Sequence, residues 1–140
     1  MFKSVFFNLP IANLKRSVEF FGQLGFEFNA QFTDESSTCM IISDTIYAML
    51  CEHPKYQGFI QDKKIADAQT SEVILSFAAD SADEVKRISE KAFELGARKV
   101  SELEDHGFMI SWGFEDLDGH LWDIFWMDPN FVMPQEPGEK

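Results

Sequence analysis

The chain is poor in the residues that most often announce a function. Its 140 residues include two cysteines, three histidines and 12 basic residues against 24 acidic ones. Cys39 and Cys51 are too few for a disulfide framework. Reduced thiols and a cytoplasmic compartment are expected, although neighbouring strands could bring the two sulfurs together. His53, His106 and His120 include no i, i+4 pair of the kind that holds a metal on a helix. The formal net charge is −12, and the bases are scattered as Lys15-Arg16, Lys63-Lys64, Lys86-Arg87 and Arg98-Lys99. Such a field repels phosphate backbones, so no nucleic-acid partner is expected; the acidity reads as solubility. No segment approaches the length of a membrane span, and MFKSVFFNLPI lacks the apolar run of a signal peptide, so no membrane partner is expected either. A Gly-rich phosphate loop is missing, and no Ser or Cys sits in a nucleophile setting.

What is abundant is phenylalanine, 15 of 140 residues. That much aromatic area must line a core, a cavity, or both.

The order of elements recurs. SVFFNLPI reads as a strand. NLKRSVEFFGQLG reads as a helix capped by Asn13 and stopped at Gly25, with Leu14, Val18, Phe21 and Leu24 on one face. Three β-rich runs follow: FEFNAQF, STCMIIS and TIYAMLCE. SEVILSFAAD then starts a second copy, with a helix over SADEVKRISEKAFELG that opens on a Ser81/Glu84 capping box and closes at Gly96. ARKVSEL, HGFMISWGFE and HLWDIFW complete it. The prediction is α+β: two βαβββ modules in tandem within one domain, module 1 about 1–56, module 2 about 70–128, and a tail at 129–140. The stretch between the modules, HPKYQGFIQDKKIADAQT, is read as a crossover loop that folds over a cavity. The tail, rich in Pro and acid, is read as loosely ordered.

These strands are apolar on both faces. In VFFNLP, Val5, Phe7 and Leu9 point one way, Phe6 and Asn8 the other; in HLWDIFW, Trp122, Ile124 and Trp126 separate from Leu121, Asp123 and Phe125. One face takes the helix. The other needs a cover, and mixed curved sheets facing each other would leave an aromatic-lined cleft suited to a small molecule. On this register Asp123 and Asn8 look into the cleft. A carboxylate buried, charged and unpaired in such a strand would cost several kcal/mol, so Asp123 is expected to have a partner.

FFNLPIANLKRSVEFFGQLGFEF resembles the first βα unit of the vicinal oxygen chelate superfamily, which includes glyoxalases, bleomycin-resistance proteins and extradiol dioxygenases. FEDLDGHLWDIFW resembles its closing turn and acid-bearing strand. The resemblance covers about residues 3 to 128, in order, and implies a glyoxalase-like fold. In that superfamily the first and last strands of each module supply inward ligands to a divalent metal that polarises substrate oxygens. Carried over, those positions fall near Phe6, Met49 and Ile74 and at Asp123. Slipping the register by one or two residues reaches only Asn8, Glu52, Glu72 and Ser76. No metal cofactor is therefore expected, unless Asp123 finds partners such as His106 or Glu52.

The candidate ligand-binding residues are Asp123, Asn8, Phe6, Tyr47, Met49, Phe108, Trp112 and His106, with Phe114 and Cys51 as further cleft candidates. Against them stand plain accounts: core packing for each aromatic, a surface role for His106. His120 reads as structural, His53 as part of a loop, and no activating group for the Cys51 thiol is evident. The expected function is binding of a small apolar or aromatic molecule, in the manner of the bleomycin-resistance branch. The alternatives are a metal-dependent lyase, isomerase or dioxygenase of the same superfamily, and a dimeric interaction module with a vestigial cleft. A homodimer is expected, because members of this superfamily commonly pair modules between chains.

Overall fold

The computed structural model describes residues 1–131; the predicted loose end of the tail lies outside them. The first module runs β1 (Val5–Ile11), α1 (Leu14–Gln23), β2 (Glu27–Asn29), a single 3₁₀ turn at Ala30–Phe32, β3 (Ser37–Ile41) and β4 (Ile46–Glu52). Next comes α2 (His53–Ile60). The second module contains β5 (Ile74–Ala78), α3 (Ala82–Glu94), β6 (Arg98–Lys99), β7 (Glu104–Asp105), β8 (Met109–Glu115) and β9 (Leu121–Met127). Two open mixed sheets result, ordered β1-β4-β3-β2 and β5-β9-β8-β6, with β7 also pairing β8. In each module the first strand lies parallel to the last, and the other pairs are antiparallel.

Both long helices form for the same local reasons. The Asn13 side chain accepts from the Arg16 N–H at 2.9 Å, and the Ser81 hydroxyl accepts from the Glu84 N–H at 3.1 Å, each satisfying an orphan donor of the first turn. Beyond the matching glycines, Phe26 N–H returns to the Phe21 carbonyl at 3.1 Å and Ala97 N–H to the Ala92 carbonyl at 3.0 Å, closing both helices alike.

The helix-side faces of the two sheets merge into one core. Phe7 meets Phe77 edge-on at 6.1 Å, Phe20 meets Phe114 at 6.4 Å, and Phe21 lies 5.3 Å from Trp122. Aromatic pairs of this geometry add about 0.5–1.5 kcal/mol each beyond the area they bury. The phenylalanine excess thus helps weld the modules together.

The elements depart from expectation between the modules and in the short strands. Residues 53–60, read as loop, are helical. Pro54 suits a helix start, where its missing N–H is no loss, while Gly58 in mid-helix weakens the sequence signal. The segments ARKVSEL and FEFNAQF yield only short strands, and β7 is an extra one. Among the described residues no helix is long and apolar enough to cross a membrane.

Candidate functional site

Each sheet turns one face to the helices and leaves the other open. The register defines the open faces: Phe6 stands beside Tyr47 and Asn8 beside Met49, while Ile74 stands beside Leu121 and Ser76 beside Asp123. Asn8 precedes the Asn13 cap by five residues, as Ser76 precedes the Ser81 cap. Asn8 and Ser76 are therefore equivalent, and so are Met49 and Asp123. Strand pairing moves the first-strand positions two residues on from Phe6 and Ile74, to Asn8 and Ser76.

Asp123 is half-buried, and Ser76 Oγ donates to its Oδ2 at 3.2 Å. Across β8 its neighbour is Gly113, which bears no side chain; a Cβ there would stand 3.0 Å from the Trp122 carbonyl oxygen. Small neighbours on both sides leave the carboxylate in a notch, with Leu121 and Phe125 before and after it on the same face.

On the first sheet Phe6 stacks on Tyr47 at 4.6 Å and is 49% exposed. The Tyr47 hydroxyl donates to the Asp44 carbonyl at 2.7 Å. A pocket of about 390 Å³ opens farther along this sheet, lined by Asn8, Met49, Cys51, Phe32, Phe59 and Lys55 among others. Lys55 ion-pairs with Asp34 and donates to Ser37 Oγ at 2.8 Å. The Lys55 hydrogen bond, with help from the Ser36 N–H, holds the Asp34 carboxyl far below the usual range. Burial pushes the Cys51 thiol up more than Lys55 pulls it down. Cys39 and Cys51 are both free and buried.

The remaining sequence candidates lie elsewhere. Trp112 stands beside Ile124 on the helix side, 5.2 Å from Phe93 of α3, with its indole N–H donating to the Ser101 carbonyl at 3.0 Å. Phe114 is buried on that same side. The structure thus turns both away from Asp123. His106 is 51% exposed, its Nε2 lying 3.5 Å from Glu104, and Phe108 stacks on Phe131 at 4.0 Å. Glu52 accepts from the Leu14 N–H at 2.9 Å, so it caps α1. Glu72 is exposed beside the module seam.

The sequence reading overlooked the acids of the Asp116–His120 turn. Asp116 is buried; it accepts from the N–H groups of Asp118 and His120 at 2.9 and 3.0 Å and from the Trp122 indole at 2.9 Å. Burial nevertheless raises its pKa. Asp118 reaches the other module, accepting from Ala12 N–H and Arg16 Nη2, both at 2.8 Å, and from Ser17 Oγ at 3.3 Å. His120 Nε2 lies 2.7 Å from the Pro10 carbonyl oxygen. The turn is a clasp between modules; the Asp-x-Asp-Gly-His spelling was its only signal.

The four strand-pair positions offer a carboxamide, a thioether, a hydroxyl and one carboxylate. That donor set does not fit a catalytic divalent metal, which takes imidazole and carboxylate ligands. Among the described residues no three His, Cys, Asp or Glu converge as a metal cluster.

The family model described as bleomycin resistance protein-like N-terminal matches residues 3–43, which hold β1 to β3. No curated protein matches. Among solved structures, a hypothetical protein from S. aureus is 27% identical, with a TM-score of 0.75 over 90% of this chain and 95% of that one. A glyoxalase/bleomycin resistance protein/dioxygenase family enzyme from Burkholderia phytofirmans is 12% identical, with a TM-score of 0.73 over 87% and 96%. The fosfomycin resistance protein FosX from Mesorhizobium loti is 18% identical, with a TM-score of 0.66 over 90% and 93%. At the last two identities the likeness is one of fold. The tandem βαβββ modules thus have the fold of the glyoxalase, bleomycin resistance protein and dioxygenase structures, and residues 3–43 are similar to a bleomycin resistance protein-like N-terminal segment.

Proposed function

We propose that this protein binds a small apolar or aromatic molecule on its open sheet faces without the superfamily's metal. The observation that carries this reading is the set Asn8, Met49, Ser76 and Asp123 at the paired strand positions. A lone carboxylate in an apolar notch suits a hydrogen-bond donor or cationic group on the ligand, and Phe6, Tyr47, Phe32 and Phe59 offer flat apolar area around the first sheet. We further propose that a second copy completes the site. Phe6 is 49% exposed and Ile74 62% exposed on open faces that the described residues of their own chain leave uncovered, and apolar surface of that kind favours a partner.

Elemental analysis of purified protein, with thermal shift against Ni, Zn, Mn, Fe and Co, tests the first proposal. No stoichiometric metal and no metal-induced stabilisation are expected, whereas aromatic amines should stabilise the wild type and lose that effect in Asp123→Asn. A bound metal whose loss destabilises the protein would favour the lyase, isomerase or dioxygenase alternative. Light scattering should give twice the chain mass of 16.1 kDa; a monomer refutes the dimer.

A further inference from the structure

A second cavity of about 380 Å³ lies at the module seam, enclosed by β1, α2, residues 61–73 and the turn that leads into β9. Its volume is within the range of small-molecule sites. It is distinct from the open-face pocket, because α2 stands between them: Lys55 and Phe59 line one, Tyr56 and Ile60 the other, and Asn8 borders both.

The walls combine an apolar body with a charged rim. Phe7, Leu9, Val73 and Leu75 supply the apolar part, and Lys63 and Lys64 stand at the rim. Of the wall carboxylates, Asp118 is already committed to Ala12, Arg16 and Ser17. Asp67 is committed to the Gln69 N–H and the Thr70 hydroxyl. Among the described residues neither lysine has a carboxylate within ion-pairing distance, and Asp67 and Glu72 are the wall acids without a cationic partner. Both lysines are exposed to solvent.

The cover over this cavity is fastened at both ends. Gln57 Nε2 donates to the carbonyls of Gln61 and Lys63 at 3.0 and 2.8 Å, and Ala68 presses against Gly119. Gln61, where the cover leaves α2, has φ +60° and ψ −118°, a conformation that costs a non-glycine residue energy and persists only where its surroundings impose it.

We propose that this cavity binds an amphipathic monoanion, a free carboxylate with an apolar tail, the tail lying along Phe7, Leu9, Val73 and Leu75 and the carboxylate meeting Lys63 and Lys64. The test is titration of octanoate, 1-octanol and octylamine into the full-length protein, followed by backbone amide chemical shifts. Octanoate should saturate, shift Ala66, Ala68, Val73 and Leu121, and bind about tenfold tighter than either other probe, the worth of one charge-assisted contact. Lys63→Gln with Lys64→Gln should erase that preference. Val73→Trp, at a wall position 58% exposed and so tolerant of bulk, should fill the cavity and abolish binding without lowering the melting temperature. The proposal is overturned if octanoate does not saturate, if octylamine binds as well, or if neither variant changes the affinity because the shifts centre on Met49 and the open face.

Discussion

Gly119→Ala probes the contact that ties the 61–73 segment to the second module, and its cost can be built from two parts. Gly119 has φ +92°, in the region that L residues avoid at about 1–2 kcal/mol. An ideal Cβ at this position would also lie 2.7 Å from Ala68 Cα, 2.9 Å from Ala68 Cβ and 3.0 Å from Ala68 O. Backbone atoms are among the obstacles, so the segment itself must shift, and overpacking of this kind costs about 1–3 kcal/mol. The sum is about 2–5 kcal/mol. Gly25→Ala is the control: its φ is +107°, but nothing lies within 4 Å of the added Cβ, leaving only the conformational part. Urea denaturation of the two variants should therefore differ by about 1–3 kcal/mol. Adding Ala68→Gly should recover some of the Gly119→Ala loss and not all of it, because Ala68 Cα and O remain in the way. Equal losses in the two glycine variants would refute the reasoning, since the turn would then bear no load from the segment.

Other outcomes follow from the clasp. Trp122→Phe removes the indole donor from the buried Asp116 carboxylate and should cost about 1–3 kcal/mol in chemical denaturation. Because burial raises the Asp116 pKa, the native state holds that proton more tightly than the unfolded chain. Its contribution is present below the ordinary carboxylate range near 3.8 and is lost as pH rises through the native pKa. Wild-type stability relative to Asp116→Asn should accordingly fall with rising pH; a difference that grows instead contradicts the burial. Asp118→Ala strips partners from Ala12, Arg16 and Ser17 and should destabilise by about 1–3 kcal/mol. Arg16→Ala should cost under about 1 kcal/mol, because the guanidinium is 43% exposed and such pairs are screened. The reverse order, read by denaturation, would place the clasp's strength in the ion pair.

Much of the architecture was legible because its signals are local. The faces of α1 and α3 follow from apolar spacing, their starts from Asn13 and Ser81, and their ends from Gly25 and Gly96. The duplication followed from the repeated order of these signals. Residues 53–60 escaped detection because Gly58 and neighbouring polar residues blur a helical pattern whose order comes from packing on β1 and β4. Alternation within β9 correctly separated Trp122 from Asp123. It could not place Trp112, whose face depends on pairing with Ile124 in another strand.

The sequence by itself determined a repeated α+β module and, where the superfamily resemblance puts four metal ligands, a single acid, Asp123 in the last strand. Only the tertiary structure decided which carboxylate is buried and which stays half-open: Asp116 under Trp122, Asp118 against α1, Asp123 beside Ser76 and Gly113. The physical reason is range. Periodicity and capping act over a few residues, whereas burial, pKa and cavity shape depend on groups that meet across tens of positions, such as Asp118 and Ala12 or Ala68 and Gly119.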